Sequence, residues 1–187
     1  MHKKFNAPFL FWTEVPNHKE IKEYLLPEIK KEYSENQEDY TIHWKSYVYT
    51  SIRHRNEFIK KDWILDSLVW NPLDQLFSEI EMSIPPNESH LEDIWWNYYP
   101  EGGYQEAHTH LNTSTTFSAA YLLDLNEENN TMFTDLSQMF FLHKELDTKD
   151  MKEGTVMIFP ADLLHYVIPS KKERCTLSFN ISTTFTL

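Results

Sequence analysis

Cysteine is almost absent from this chain. Cys175 stands alone among 187 residues, which excludes an internal disulfide and any cysteine-based zinc cluster. It sits inside an alternating run, so it reads as a buried structural thiol rather than a nucleophile. Basic residues are also scarce, with 17 Lys and Arg against 29 Asp and Glu and a net charge of -12. A non-specific grip on nucleic acid or anionic membrane needs basic patches, so neither partner is expected. Lys30-Lys31 and Lys171-Lys172 are short pairs among acids and read as solvated surface. Long hydrophobic runs are missing as well. The apolar stretch from Ala7 to Trp12 is too short to span a bilayer and lacks a signal-cleavage pattern. A cytoplasmic location is therefore expected. The N-x-S/T sequons at Asn87, Asn112, Asn129 and Asn180 then carry no glycosylation meaning. Glycine occurs three times, and two of the three are adjacent, at Gly102-Gly103.

Apolar material is plentiful, with 41% hydrophobic and 15% aromatic residues, enough for a packed core. The length suits one domain over residues 1-187. Residues 1-90 read as mostly helical. Phe9 to Trp12 suggests a short strand. Asn17 can cap a helix with Ile21, Tyr24, Leu25, Ile29 and Tyr33 at helical spacing. Tyr40 to Tyr49 alternates like a strand. Glu57 to Ile84 reads as helix, interrupted or restarted at Asn71-Pro72 and ended by Pro85-Pro86-Asn87. From Leu91 the texture is β. Runs at Ile94-Tyr99, Thr115-Leu125, Met132-Phe141, Thr155-Phe159, Leu164-Ile168 and Arg174-Thr184 are separated by turn signals. Helices first and strands later fit an α+β arrangement or a β-sandwich with helices on one sheet.

The chemistry concentrates in "PEGGYQEAHTH", Pro100 to His110. On a strand, His108 and His110 would project to one face, with Cα atoms ~6.6 Å apart. Two imidazoles at that spacing can share a cation, or they can be two surface histidines on a strand edge. A second segment, Gly154 to Asn180, carries His165 and then a strand opening with Arg174. A histidine from a distant strand can complete a facial set of three ligands. On the last strand Arg174, Thr176, Ser178 and Asn180 share one face, and Cys175, Leu177, Phe179 and Ile181 the other. The polar face is either a wet outer surface or the lining of a cavity in which Arg174 offers a guanidinium fork to a carboxylate. His165 across the hairpin favours the cavity. His2, His18, His43, His54 and His90 read as structural, and His143 has no spacing that demands a role.

Three elements together resemble the 2-oxoglutarate and iron(II)-dependent oxygenases, in a prolyl-hydroxylase-like branch. They are "NYYPEGGYQEAHTH", "FSAAYLLDL" and "GTVMIFPADLLHYVIPSKKERCTLSFN", and they cover about half the chain. The resemblance implies a double-stranded β-helix (a jelly roll, cupin-like) in residues 91-187, braced by the helices of 1-90. It implies Fe(II), 2-oxoglutarate and O2 as cofactors. His108 matches the first iron ligand and His165 the distal one. Arg174 matches the residue pairing with the far carboxylate of 2-oxoglutarate. Tyr121 and Tyr99 match tyrosines near that cosubstrate, and Asn97 and Thr176 share faces with Tyr99 and Arg174. His110 stands where most of the superfamily has Asp or Glu. Three neutral imidazoles leave the site more cationic and shift its redox potential and metal preference. Asp162 is a candidate carboxylate partner for His165, or a turn cap.

The function implied is oxidation of a substrate coupled to 2-oxoglutarate decarboxylation. Two rivals remain at this level: a three-histidine cupin-like dioxygenase that needs no 2-oxoglutarate, and a non-catalytic metal-binding jelly roll. The substrate is open between a small molecule and a peptide or protein side chain. Trp95, Trp96, Tyr98, Phe140 and Phe141 could form a substrate platform, although core packing explains them more cheaply.

Overall fold

The computed structural model describes residues 9-35, 37-40, 45-80, 88-112, 114-134 and 145-184. His2, His43, Pro85-Pro86-Asn87, Phe140, Phe141 and His143 lie outside them. A large antiparallel sheet has the strand order β1-β8-β5-β10-β3-β2. Its strands are β1 (Phe11–Glu14), β2 (Tyr49–Thr50), β3 (Ser89–Tyr99), β5 (Thr115–Leu125), β8 (Thr155–Pro160) and β10 (Arg174–Thr183). A smaller sheet has the order β4-β9-β6-β7, from β4 (Gln105–His108), β6 (Thr131–Thr134), β7 (Glu145–Asp147) and β9 (Leu164–Val167). The chain passes from one sheet to the other at the turn after Pro160, where the Leu163 N–H bonds the Pro160 carbonyl at 3.0 Å. Two sheets stacked with helices outside one of them form the expected double-stranded β-helix.

The helices cover the outer face of the large sheet. α1 (His18–Glu35) buries Ile21, Leu25 and Ile29, one stripe at helical spacing. Asn17 does not cap it with its side chain, which donates instead to Ser67 Oγ at 3.0 Å. The second helical region runs from Asp62 to Glu79 without a break. α2 (Asp62–Leu65) continues through a π turn over Asp66–Trp70 into α3 (Asn71–Glu79). Pro72 sits in the first turn of α3, so the missing N–H is absorbed by the wider π turn before it. Residues 57-61 lie before this helix rather than in it. Among the described residues no helix is long and apolar enough to cross a membrane.

Two cores result. The larger joins the helices to the outer face of the large sheet and includes Cys175, Leu177, Phe179 and Ile181, all fully buried. Complete burial pushes the Cys175 thiol up, which fits an inert packing role. The smaller lies between the sheets and gathers Leu122, Phe133, Met157, Phe159 and Leu163. β10 is no outer strand. It is hydrogen-bonded along both sides, to β5 and to β3. Of the strand expected over Tyr40–Tyr49, residues 41-44 lie outside the described residues, and the described part is strand at Tyr49–Thr50. Gln37–Tyr40 is a 3-10 turn, and Tyr47 makes only an isolated bridge to Tyr104.

Candidate functional site

The glycine pair sets up the metal-ligand strand. Gly102 has φ +78, a conformation that favours glycine. A Cβ on Gly103 would lie 2.7 Å from the Pro100 carbonyl oxygen, so no larger residue fits that bend. The bend returns the chain antiparallel to β9. In that register His108 and His165 are direct cross-strand partners. His110 lies just past β4 and is fixed by its own N–H, which donates to the Ala161 carbonyl at 2.8 Å. Residues 57 positions apart in sequence thus meet through one ladder.

The three imidazoles converge between the sheets. Their ligating nitrogens all lie within 4.8 Å of one another. Ring centroids are 4.3 Å apart for His108 and His165, 5.1 Å for His110 and His165, and 5.2 Å for His108 and His110. His108 Nδ1 donates to the Glu106 carbonyl at 2.7 Å, and His165 Nδ1 donates to the Leu163 carbonyl at 3.0 Å. A carbonyl only accepts, so in both rings Nδ1 carries the proton and Nε2 keeps its lone pair. Burial lowers the basicity of all three rings. It takes His110 down to about 4, helped by His108, and His165 well below its ordinary value, helped by both neighbours. They are neutral imidazoles near pH 7, the form that binds a metal. Three converging neutral nitrogens fit a divalent transition metal.

The carbonyl of Leu163, not the carboxylate of Asp162, orients His165. Asp162 points outward on the turn and is exposed. That departs from the carboxylate partner considered from sequence.

Behind the histidines lies Arg174, 1% exposed. Its Nη2 donates to Thr131 Oγ1 at 3.3 Å, while Nε and Nη1 have no partner among the described residues. Burial lowers its pKa, though Tyr99 and Glu127 work the other way. The guanidinium carbon sits 5.2 Å from the centre of the Tyr99 ring. In the ladder Tyr99 is opposite Arg174, Asn97 opposite Thr176, and Trp95 opposite Ser178. One face of β3 and β10 therefore supplies one wall of the cavity. His108, His110, His165, Tyr99, Thr176 and Arg174 all line it. Asn97 stands at its edge, with its amide donating to Ser178 Oγ at 2.9 Å. Two buried guanidinium nitrogens without partners, aimed into a cavity with a ligand set at its other end, fit a dicarboxylate that reaches from the metal to Arg174.

Tyr121 is not in this cavity. It is opposite Leu177 in the β10–β5 register, and Leu177 faces the helix-side core. Its hydroxyl meets His18 Nδ1 at 2.6 Å. The proposed tyrosine contact to the cosubstrate fails on parity, because a side chain on a strand can serve only one face. Two residues absent from the sequence reading line the cavity instead. Gln105 accepts from the Tyr99 hydroxyl at 2.7 Å and donates to His108 Nε2 at 3.4 Å. Thr131 was hidden because it precedes the apolar run that marked its strand. Gln105 lay inside the glycine–histidine motif, three residues before His108, but its alternation with His108 gave no sign that it turned inward.

The β-helix brings three imidazoles and a buried arginine to one cavity. Residues 93–180 match the family model described as "Putative 2OG-Fe(II) oxygenase", and that segment contains His108, His110, His165 and Arg174. Solved structures of similar fold include a Pseudomonas putida prolyl-4-hydroxylase, 13% identical, TM-score 0.61, covering 94% of this chain and 93% of that one. The viral collagen prolyl hydroxylase of Paramecium Bursaria Chlorella virus-1 is 15% identical, TM-score 0.60, covering 94% and 97%. A Trichoplax adhaerens prolyl hydroxylase, solved with a hypoxia inducible factor peptide fragment, is 10% identical, TM-score 0.61, covering 93% and 83%. At these identities the likeness is one of fold. No curated protein is similar enough in sequence to match. Residues 93–180, just under half of the chain, are thus similar to the 2-oxoglutarate- and iron(II)-dependent oxygenases, and the fold is the one the compared prolyl hydroxylases have.

Proposed function

We propose that His108, His110 and His165 hold the iron and that Arg174 holds the far carboxylate of 2-oxoglutarate. The unpartnered Nε and Nη1 of Arg174 carry this reading. A buried cation without partners costs several kcal/mol, and a carboxylate answers it with a bidentate pair. When bound, the iron supplies oxygen activation coupled to oxidation of 2-oxoglutarate to succinate and CO2.

The protein's own part is positional. The Glu106 and Leu163 carbonyls hold two ring nitrogens toward the metal. Tyr99 lies under the guanidinium and donates to Gln105, whose own contact to His108 Nε2 would give way when iron takes that lone pair. Thr131 steadies the third guanidinium nitrogen, and Thr176 lines the cosubstrate's path. Phe133 and Phe159 pack against the His165 ring, at 5.8 and 4.8 Å between centroids, and keep water from that side. Ligands without a carboxylate leave the centre one negative charge short of a two-histidine, one-carboxylate set.

The substrate is a small molecule or a peptide or protein side chain. The test is aerobic succinate formation by the purified protein with Fe(II) and 2-oxoglutarate, even uncoupled from substrate. Turnover that depends on 2-oxoglutarate is expected. Oxygen uptake indifferent to 2-oxoglutarate would instead favour a three-histidine dioxygenase. Tight metal binding with neither reaction would favour a non-catalytic module.

A further inference from the structure

A second hollow opens off the three-histidine cavity and shares Trp95, His108 and His110 with it. Its other walls include Thr50, Asn97 and Glu106. It encloses about 610 Å³, part of it open to solvent.

Glu106 is the one carboxylate among the residues lining this hollow, and no lysine or arginine lines it. Its charge lies close enough to His108 to act on it electrostatically. In the neighbouring cavity three neutral imidazoles add no charge, a dication and a dicarboxylate cosubstrate cancel, and the buried Arg174 leaves one positive charge against the cosubstrate's far carboxylate. Arg174 does not line the hollow, so Glu106 supplies the charge of the hollow's own lining. The polar atoms around it point the same way. Thr50 Oγ1 is buried, with Thr50 4% exposed, and has no partner among the described residues. Asn97 spends its amide N–H groups on Ser178 and Thr176, at 2.9 and 3.5 Å, so only an acceptor remains to it. Trp95 adds an aromatic wall that a cation can lie against. A carboxylate or phosphate entering here would meet like charge and no donor fork.

We propose that this hollow is the substrate cleft and that it selects molecules carrying an ammonium or guanidinium group, held by Glu106, Thr50 and Asn97 against Trp95. The proposal rests on the oxygenase reading above and adds the substrate's charge to it.

The test is a calorimetric titration of the full chain with N-acetyl-lysinamide, N-acetyl-norleucinamide and N-acetyl-glutamate. Each is run with Mn(II) and N-oxalylglycine and again on the metal-free protein, in which the hollow is already formed. The lysine probe should bind at least tenfold more tightly than its uncharged isostere in both series. Added salt should weaken that preference. Glu106→Gln should abolish it, and Thr50→Val should weaken lysine binding severalfold. The proposal is overturned if the norleucine or glutamate probe binds as well as the lysine one, or if the preference survives in a folded Glu106→Gln protein. Should that variant melt early, the salt dependence of the wild type and the near-isosteric Thr50→Val decide. Loss of Mn(II) and N-oxalylglycine binding with the lysine preference intact would defeat the oxygenase reading alone. The converse result would defeat the cleft's selectivity alone.

Discussion

Two polar clusters, one half-buried under the helices and one in the cavity, lie on opposite faces of the large sheet, and their polar groups are in opposite conditions. On the helix side, Tyr121 meets His18, and His18 Nε2 meets Glu153 at 3.1 Å. Glu153 also accepts from Lys22 at 2.7 Å and from the Leu125 N–H at 2.8 Å. Lys22 reaches Asp124 at 2.6 Å. A carboxylate accepts the Nε2 proton, so His18 Nδ1 accepts from the tyrosine and the chain of bonds closes. On the cavity side, Arg174 keeps two nitrogens unpartnered, and three imidazoles crowd together uncharged. The matched cluster has the form of a structural pin. The unmatched one is left in the state that a ligand would complete.

The comparison breaks first at the metal. His165→Ala should abolish Fe(II) binding, measured by equilibrium dialysis, while the helix-side cluster leaves the protein folded. Arg174→Met should raise the 2-oxoglutarate KM by about 100-fold, the scale of a lost charged hydrogen-bonded pair. The same variant should melt no lower than wild type without ligands, because it removes an unpaired buried charge. A fall in both properties would mean that Arg174 is structural. Leu177→Ala should cost about 2–5 kcal/mol in urea unfolding, with the 2-oxoglutarate KM unchanged in the folded fraction. Tyr121→Phe should cost about 1 kcal/mol and leave that KM within about twofold. A large KM effect would return Tyr121 to the cosubstrate site.

The smallest expected effect is in acid. Burial by itself would raise the Glu153 pKa, but Lys22, the Leu125 N–H and His18 outweigh it and hold the carboxyl below its ordinary 4.5. The stability it contributes is present above that value and is lost as pH falls through the lowered one. Glu153→Gln should flatten this part of the acid unfolding curve.

The strands and their faces were largely legible in sequence. β5 and β8 to β10 fall within a residue or two of the alternating runs, because alternation is local. The histidine pair, His165 and Arg174 were legible too, since spacing and parity mark them. The assignment of Tyr121 failed because it needed the register of β5 on β10, which includes a bulge at Cys175/Thr176. In the described part of the Tyr40–Tyr49 run, aromatic residues serve ring packing, as in Tyr33 on Tyr49 and Tyr40 on Trp96, and only Tyr49 enters a strand. The restart read at Asn71-Pro72 is where α3 begins, but proline alone does not reveal the π turn that joins it to α2.

Composition and periodicity by themselves determined the order of helices before strands, the two faces of β10 and the shared face of His108 and His110, while the β-helix and the set of three histidines were implied by the family resemblance. The features read from periodicity are properties of residues a few positions apart. The meeting of His108 with His165, the isolation of Arg174 and the exclusion of Tyr121 were decided by the tertiary structure alone. Each depends on which strand lies opposite which, and that register is set by hydrogen bonds between segments tens of residues apart.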